Sequence, residues 1–363
     1  MEQTWNENWQ CLRHFLPAGW EEKARELGAW RRQPRSIDST ESLLRLLLIH
    51  LADGCSLREA VVRARQGGIA DVSGVGLMKR LRAAGEWLRW MAVELLQRHG
   101  TPVEAPDWLS LYRVRVVDAS VVCEPGSTGT DWRIHYSLRL FGLQCDEFHV
   151  TGPKVGESFA RFQIAPGDLM LGDRAYGHLK GFRYVLGQGG HFLSRLKSKA
   201  FGIRNMDGHN LSLNQLLESL DLGAVGDWTV SGWAKGQMDM PLRLCAIRLS
   251  EEAAEQSIRR AMKEMKKKQQ SLDPETIALR RYVVVATSLP AAISGRQIME
   301  LYRARWQIEL SFKRLKSIMG LGHLPKEDEA SSRSWLQGKM LVACLAQAIV
   351  DEGRSFSPWG YPI

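Results

Sequence analysis

A change of hydrophobic period near residue 110 constrains this chain more than any other feature. Upstream, apolar residues recur at helical spacing, as in Leu43, Leu44, Leu47, Leu48 and Leu51. Downstream, Val114, Val116 and Asp118 alternate with Arg113, Arg115 and Val117, the two-residue period of a strand. A second such strand, Leu169–Gly172, leads to Asp173, so that Leu169, Leu171 and Asp173 share a face as Val114, Val116 and Asp118 do. Two apolar rows each end in a carboxylate. An α/β fold follows, with helices leading and a sheet carrying acidic groups.

The leading region, 1–105, reads as all-helical. Ser56 and Glu59 have the spacing of a capping box, which starts a helix at Leu57. Gly67 and Gly68 break that helix, and Ser73 caps a longer one with Leu77, Leu81, Ala84, Leu88 and Met91 on one side. Arg58, Arg63, Arg65, Lys79, Arg80 and Arg82 give these helices a basic face, suited either to DNA contact or simply to solvent.

Beyond Asp173 the stretch 190–280 is strand-like, with Trp228 and Trp233 in one segment, and then a charged helix Glu251–Gln270 rich in Arg and Lys. A strand Tyr282–Thr287 follows, and Ser294 with Gln297 caps a long helix. At about 100° per residue, Tyr302, Arg305, Glu309 and Lys316 fall on one narrow side of it, beside an apolar stripe of Leu301, Ile308, Phe312, Leu315 and Met319 that suits packing on a sheet.

Carboxylates in such positions are oxygen ligands for paired magnesium ions, which activate water and stabilise a leaving oxygen in phosphodiester cleavage. Arg and Lys beside them suit phosphate, Arg as a planar fork and Lys as a point charge. Taken singly, each feature has a structural alternative. Arg305 and Glu309 can be a surface pair, Asp118 can cap a turn, and Asp173 can pair with Arg174. The coincidence of all three carboxylates favours a site.

Composition limits the partners. The 363 residues carry a formal charge of +9 with pI near 9.3, which favours a polyanion. The six cysteines are dispersed without zinc-ligand spacing, as expected of free thiols in a reducing cytoplasm. No secretory signal is visible, and the apolar runs Leu43–Ala52 and Met340–Val350 are too short or interrupted to span a bilayer.

Tyr302, Arg305, Glu309 and Lys316, with gaps of two, three and six residues, match without interruption the signature of the DDE transposases of the insertion sequence 4 type, which this chain resembles. Val117-Asp118-Ala119-Ser120 is similar to the context of that family's first aspartate, and Gly172-Asp173-Arg174-Ala175-Tyr176 to that of its second. The likeness extends to Asp53–Arg58, Gly156–Ser158 and Thr287–Pro290.

The resemblance implies an RNase H-like catalytic core at 106–189 and 281–335. It also implies a mostly β insertion at 190–280, a helical DNA-binding domain at 1–105, and a C-terminal helix and tail at 336–363. Asp118, Asp173 and Glu309 would be catalytic and would ligate two Mg2+, for which Mn2+ can substitute. Tyr302, Arg305 and Lys316 would contact DNA phosphates, with Arg174 beside them. Family members often stack a flipped base on an aromatic residue of the insertion, which makes Trp228 and Trp233 candidates, although both also suit the core of a β-subdomain.

The implied substrates are double-stranded DNA of the terminal inverted repeats and of the target, engaged by a homodimer in the cytoplasm at the nucleoid. The implied reaction is cut-and-paste transposition. A nuclease that joins nothing, or a transposase-derived repressor without catalysis, are the alternative functions.

Overall fold

The computed structural model describes residues 2–31, 36–98, 105–123, 131–141, 144–197, 199–267, 269, 271, 273–305 and 328–355. The leading helices are α1 (Glu2–Phe15), α2 (Trp20–Glu26), α3 (Thr40–Ala52), α4 (Leu57–Gln66) and α5 (Gly74–Arg98). Sequence spacing anticipates the caps. Ser56 Oγ accepts from Glu59 N at 3.1 Å and Ser73 Oγ from Gly76 N at 3.1 Å. The Ser56 box is only half made, because the Glu59 carboxylate turns instead to Arg63 at 2.6 Å.

Ten strands form one sheet: β1 (Arg113–Val122), β2 (Trp132–Arg139), β3 (Gln144–Thr151), β4 (Asp168–Gly172), β5 (His191–Arg195), β6 (Gly202–Arg204), β7 (Asn210–Leu211), β8 (Val225–Trp233), β9 (Met240–Arg248) and β10 (Tyr282–Thr287). Their order is β3-β2-β1-β4-β5-β10-β9-β8-β6-β7. Only β1 with β4 and β4 with β5 run parallel; the other pairs are antiparallel. The parallel step from β4 to β5 is bridged by α6 (Leu179–Gly187), as a βαβ unit requires. Strands β6 to β9, within the expected insertion, extend this sheet through β10. The expected boundary at 189/190 falls just before β5, which pairs with β4.

The two sheet faces are covered differently. Val117, Met170, Phe192 and Ala286 meet α6 through Leu179, Phe182 and Val185, with Phe182 stacked on Phe192 at 4.0 Å between centroids. Val114, Val116, Leu169, Leu171, Leu193 and Val285 join the larger cluster, which includes the leading helices, α10 (Gly295–Ala304) and α11 (Glu329–Ser355). The remaining helices are α7 (Leu213–Glu218), α8 (Glu251–Lys267) and α9 (Pro274–Leu279).

The last helix crosses the expected boundary at 335/336 and packs along α5. A Cβ on Gly85 would lie 2.5 Å from Ser334 Oγ, and one on Gly338 would lie 2.5 Å from a Leu51 methyl. These two glycines let α11 approach α5 and α3 closely. Arg82 reaches Ser331 Oγ at 2.8 Å and Asp328 at 2.9 Å across the same seam.

Arg115 fixes the start of β1. It is buried and meets Asp146 at 2.9 Å, Glu147 at 2.7 Å and Asp168 at 3.2 Å, so one guanidinium ties β1, β3 and β4 together. Burial opposes its charge, but the carboxylates prevail and raise its pKa above the usual arginine value. None of the described helices is long and apolar enough to cross a membrane. Cys11, Cys55, Cys123, Cys245 and Cys344 are free thiols.

Candidate active site

Strand register brings the two aspartates together. On the parallel pair β1–β4, Arg113 stands opposite Asp168 and Val116 opposite Leu171, a constant offset of 55. Carried two residues beyond Val116, that offset sets Asp118 opposite Asp173. Because β1 continues to Val122 against β2, Asp118 lies within its strand and not at its end as the apolar row suggests. Strand β4 stops at Gly172, and the chain turns away directly after it.

The turn is tight. Asp173 Oδ1 accepts from Ala175 N at 2.8 Å, its carbonyl accepts from Ser194 Oγ at 2.9 Å, and Tyr176 N donates to the same carbonyl at 3.2 Å. Glycine at 172 is a matter of space, since a Cβ there would lie 2.6 Å from Tyr176 Cβ.

Asp118 is half-buried, with Oδ1 accepting from Ala119 N at 2.8 Å. Burial pushes its pKa up to about 7; Asp173 and Glu157 add to the rise, while the Ala119 N–H and Arg305 oppose it. Glu157 is raised as well, by burial first and by Asp173 next, against Arg133 and Lys197. A carboxyl held near neutrality beside a second aspartate lacks positive charge, the condition that a hard divalent cation relieves. Among the described residues, no group of three or more His, Cys, Asp or Glu could hold a metal ion. The third expected ligand, Glu309, lies outside the described residues, as does Lys316.

Tyr302 and Arg305 occupy the end of α10. The helix starts from a complete capping box, Gln297 N donating to Ser294 Oγ at 3.4 Å and Ser294 N to Gln297 Oε1 at 3.0 Å. The segment before it is held by Arg243 of β9, a buried residue that donates to the carbonyls of Leu289 at 3.0 Å, Pro290 at 2.6 Å and Ile293 at 3.1 Å, and pairs with Asp227. Tyr302 is buried, and the Arg305 guanidinium lies 5.8 Å from its ring centre. Burial raises the Tyr302 phenol, while Arg305 and Arg195 pull it down and Asp173 pushes it up. Arg305 is thus within electrostatic reach of Asp118, and Tyr302 of Asp173.

Sequence reasoning missed Arg195. The β4–β5 register pairs Gly172 with Ser194, so Asp173 continues opposite Arg195. Burial lowers the Arg195 pKa, and Arg280 and Arg305 press it further down. Arg174 is lowered to about 10, by burial first and then by Arg195 and Arg280. Among the described residues, Arg174 and Arg195 have no carboxylate within ion-pair reach, although both are half-buried. Guanidiniums crowded together beside Asp173 favour an anion. The available sequence signal was the apolar stretch Phe192–Leu193, which runs into a charge at Arg195 just as the apolar rows run into the two aspartates.

Trp228 and Trp233 lie on β8. The pairs Trp228–Leu244, Leu244–Ala286, Ala286–Ser194 and Ser194–Gly172 put four strand steps between Trp228 and the Asp173 turn. At about 4.8 Å per step this is roughly 19 Å. Trp228 packs against two apolar clusters, and Trp233 stacks under Arg204 at 4.5 Å. Neither is brought to the aspartates.

Residues 153–345 match the family described as "Transposase DDE domain". The chain is 30% identical over 361 residues to InsL of insertion sequence element IS186A from Escherichia coli K12, covering 97% of this chain and 96% of that protein. It is 30% identical over 362 residues to the transposase for insertion sequence element IS421 of Escherichia coli, with the same 97% and 96% covered. The transposase for IS231B of Bacillus thuringiensis subsp. berliner is 22% identical over 381 residues, covering 95% of this chain and 80% of that protein.

Proposed function

The chain belongs to the DDE transposases, and from that membership we propose that Asp118, Asp173 and Glu309 are its catalytic, metal-holding carboxylates. It is a DNA transposase, an enzyme that cleaves and rejoins phosphodiester bonds in DNA. The observation that carries the site is the β1–β4 register, whose offset of 55 aligns two aspartates far apart in the sequence.

The finer assignments rest on the same footing. Tyr302, Arg305, Glu309 and Lys316 support membership of the insertion sequence 4 type. The order β3-β2-β1-β4-β5, with its parallel pairs about β4, supports an RNase H-like core in which β6 to β9 are the insertion. The leading helices are its DNA-binding domain. The partners are double-stranded terminal repeats and target DNA, held by a homodimer at the bacterial nucleoid in the cytoplasm.

The donor set fits Mg2+, with Mn2+ as a substitute, because the aligned groups are hard carboxylate oxygens and burial, outweighing Arg305, raises one of them to about 7. When bound as a pair, such ions supply an activated water and stabilise the departing oxygen. Everything else is the work of side chains. Asp118, within β1, and Asp173, directly after the neighbouring parallel strand β4, fix the reacting position. Arg174, Arg195 and Arg305 hold the phosphate beside them, and Tyr302 braces Arg305. Lys316 supplies a further point charge for phosphate.

Strand transfer from pre-cut terminal DNA into a plasmid, with Mg2+, is the test. Joined product is expected from the wild-type chain, and none from Asp173→Asn or Glu309→Ala, although both variants still bind the ends. Wild-type joining by Asp173→Asn would refute the site, and hydrolysis without joining would favour a plain nuclease.

A further inference from the structure

Helix α3 ends at Ala52 and α4 begins at Leu57, so only Asp53, Gly54, Cys55 and Ser56 separate them. Gly54 turns the chain in the left-handed region at φ +66°, with open space where a Cβ would stand, so backbone conformation and not crowding calls for glycine there. The turn is held from both sides. His50 Nδ1 donates to the Cys55 carbonyl at 2.7 Å, Cys55 Sγ donates to the Ile49 carbonyl at 3.2 Å, and Asp53 accepts from Arg63 of α4 at 2.7 Å. Two helices joined by so short a turn with a glycine in it form a helix-turn-helix unit, and in DNA-binding examples the second helix enters the major groove.

The faces of α4 are sorted to suit that use. Ala60 and Ala64 are fully buried, and Leu57 and Val61 are partly buried against the main core. The other side carries Arg58, Val62 and Gln66, one helical turn apart and all exposed, with Val62 54% exposed at the middle of the row. Arg63 and Arg65 fall to either side of that row at about 100° per residue. Arg63 is clasped by Glu59 at 2.6 Å and Arg65 by Asp71 at 2.7 Å, whereas Arg58 makes no ion pair with the described residues. Three arginines against Glu59 alone leave the helix positive, which favours a polyanion over a second protein surface. Its ten residues span about 15 Å, and a major groove about 12 Å wide admits one helix.

We propose that α4 is the helix that reads the terminal repeats, lying in the major groove with Val62 against a thymine methyl and Gln66 paired to the N6 and N7 of an adenine. The chemistry matches the side chains, since an apolar group recognises the methyl that only thymine presents, and a carboxamide both accepts from and donates to the adenine edge. Arg58, at the leading end of the row, meets a phosphate and carries no sequence information. The proposal rests on the reading of the leading helices as the DNA-binding domain and names the surface within it that sets specificity.

The experiment compares binding of the full chain to a duplex of the inverted repeat that flanks its own gene and to a duplex of the same composition in scrambled order, at one salt concentration. Gln66→Ala is expected to weaken binding to the repeat about 10-fold and Val62→Ala about 5-fold, with the scrambled duplex and the Tm of the free protein unchanged. Arg58→Ala should weaken both duplexes alike. Replacing the thymines of the repeat by uracil one at a time removes single methyls. At one position the wild type should lose about 5-fold and Val62→Ala nothing further. If the wild type prefers the repeat and both Val62→Ala and Gln66→Ala keep that preference in full, the proposal is overturned. It is equally overturned if Val62→Ala keeps the preference but loses self-association on gel filtration, which would assign the face to a second copy of the chain. No preference for the repeat in the wild type would overturn the assignment of repeat binding itself, and this proposal with it.

Discussion

Asp118 carries the most informative electrostatics in the molecule. Its carboxyl is pushed from the ordinary 3.8 up to about 7, mainly by burial, so between those values the folded chain keeps a proton that the unfolded chain has lost. Its contribution to stability is therefore lost as pH rises across that window. His135 acts in the opposite sense, since burial lowers it from 6.5 to about 4, and stability from that source rises with pH across its own window. The two partly cancel below pH 6.5, so a variant is needed to separate them. Without metal, Asp118→Asn should gain stability over the wild type as pH is raised from about 5 to about 8. Thermal melts in chelator at the two pH values check this, and a gap that does not change with pH would contradict it. Added Mg2+ should narrow the gap by stabilising the wild type. Both aspartates were legible in the sequence because each ends an apolar row of period two. Arg195 was not assigned a role, because its place beside Asp173 depends on strand register, which composition and spacing do not encode.

Among the elements, α10 depends most on a distant residue. Arg243 comes from β9 in the expected insertion, yet it grips three carbonyls just ahead of α10 and Asp227 on β8. A Cβ on Gly295, the first residue of α10, would lie 3.0 Å from the Asp227 carboxylate, so the helix starts hard against this pair. Arg243→Met leaves those acceptors and the partly exposed Asp227 without a donor, and should cost about 2–4 kcal/mol in urea unfolding. A loss below about 0.5 kcal/mol, the usual size at unremarkable surface sites, would show that the clamp is dispensable. The sequence disclosed the capping box of this helix, since Ser294 and Gln297 are local. It disclosed nothing of Arg243, which lies more than forty residues upstream and reads only as a charge in a strand. The same contrast holds for α11, whose closeness to α5 depends on Gly85 and Gly338 and leaves no mark in the hydrophobic period.

For the whole molecule, the basic charge is unevenly committed. Arg63, Arg65 and Arg82 of the leading helices are paired with Asp53, Asp71 and Asp328, whereas Arg58, Lys79 and Arg80 make no ion pair with the described residues. If these three meet DNA phosphates, replacing them together with Ala should reduce the slope of log affinity against log salt by about 2–3, at roughly 0.9 per phosphate contact. An unchanged slope would assign DNA contact to other parts of the chain. The α/β class, the leading helices and the family were legible because period, caps and signature are local. The continuity of the sheet through β10 into β6–β9 was not, because strand order is a non-local property. Asp118, Asp173 and Glu309 are proposed to share one cation site. Fe2+ bound in place of Mg2+, with ascorbate and peroxide, cuts the polypeptide near its ligands. Cuts close to Asp118, Asp173 and Glu309, all suppressed by excess Mg2+, are the predicted result; cuts near the two aspartates with none near Glu309 would contradict it.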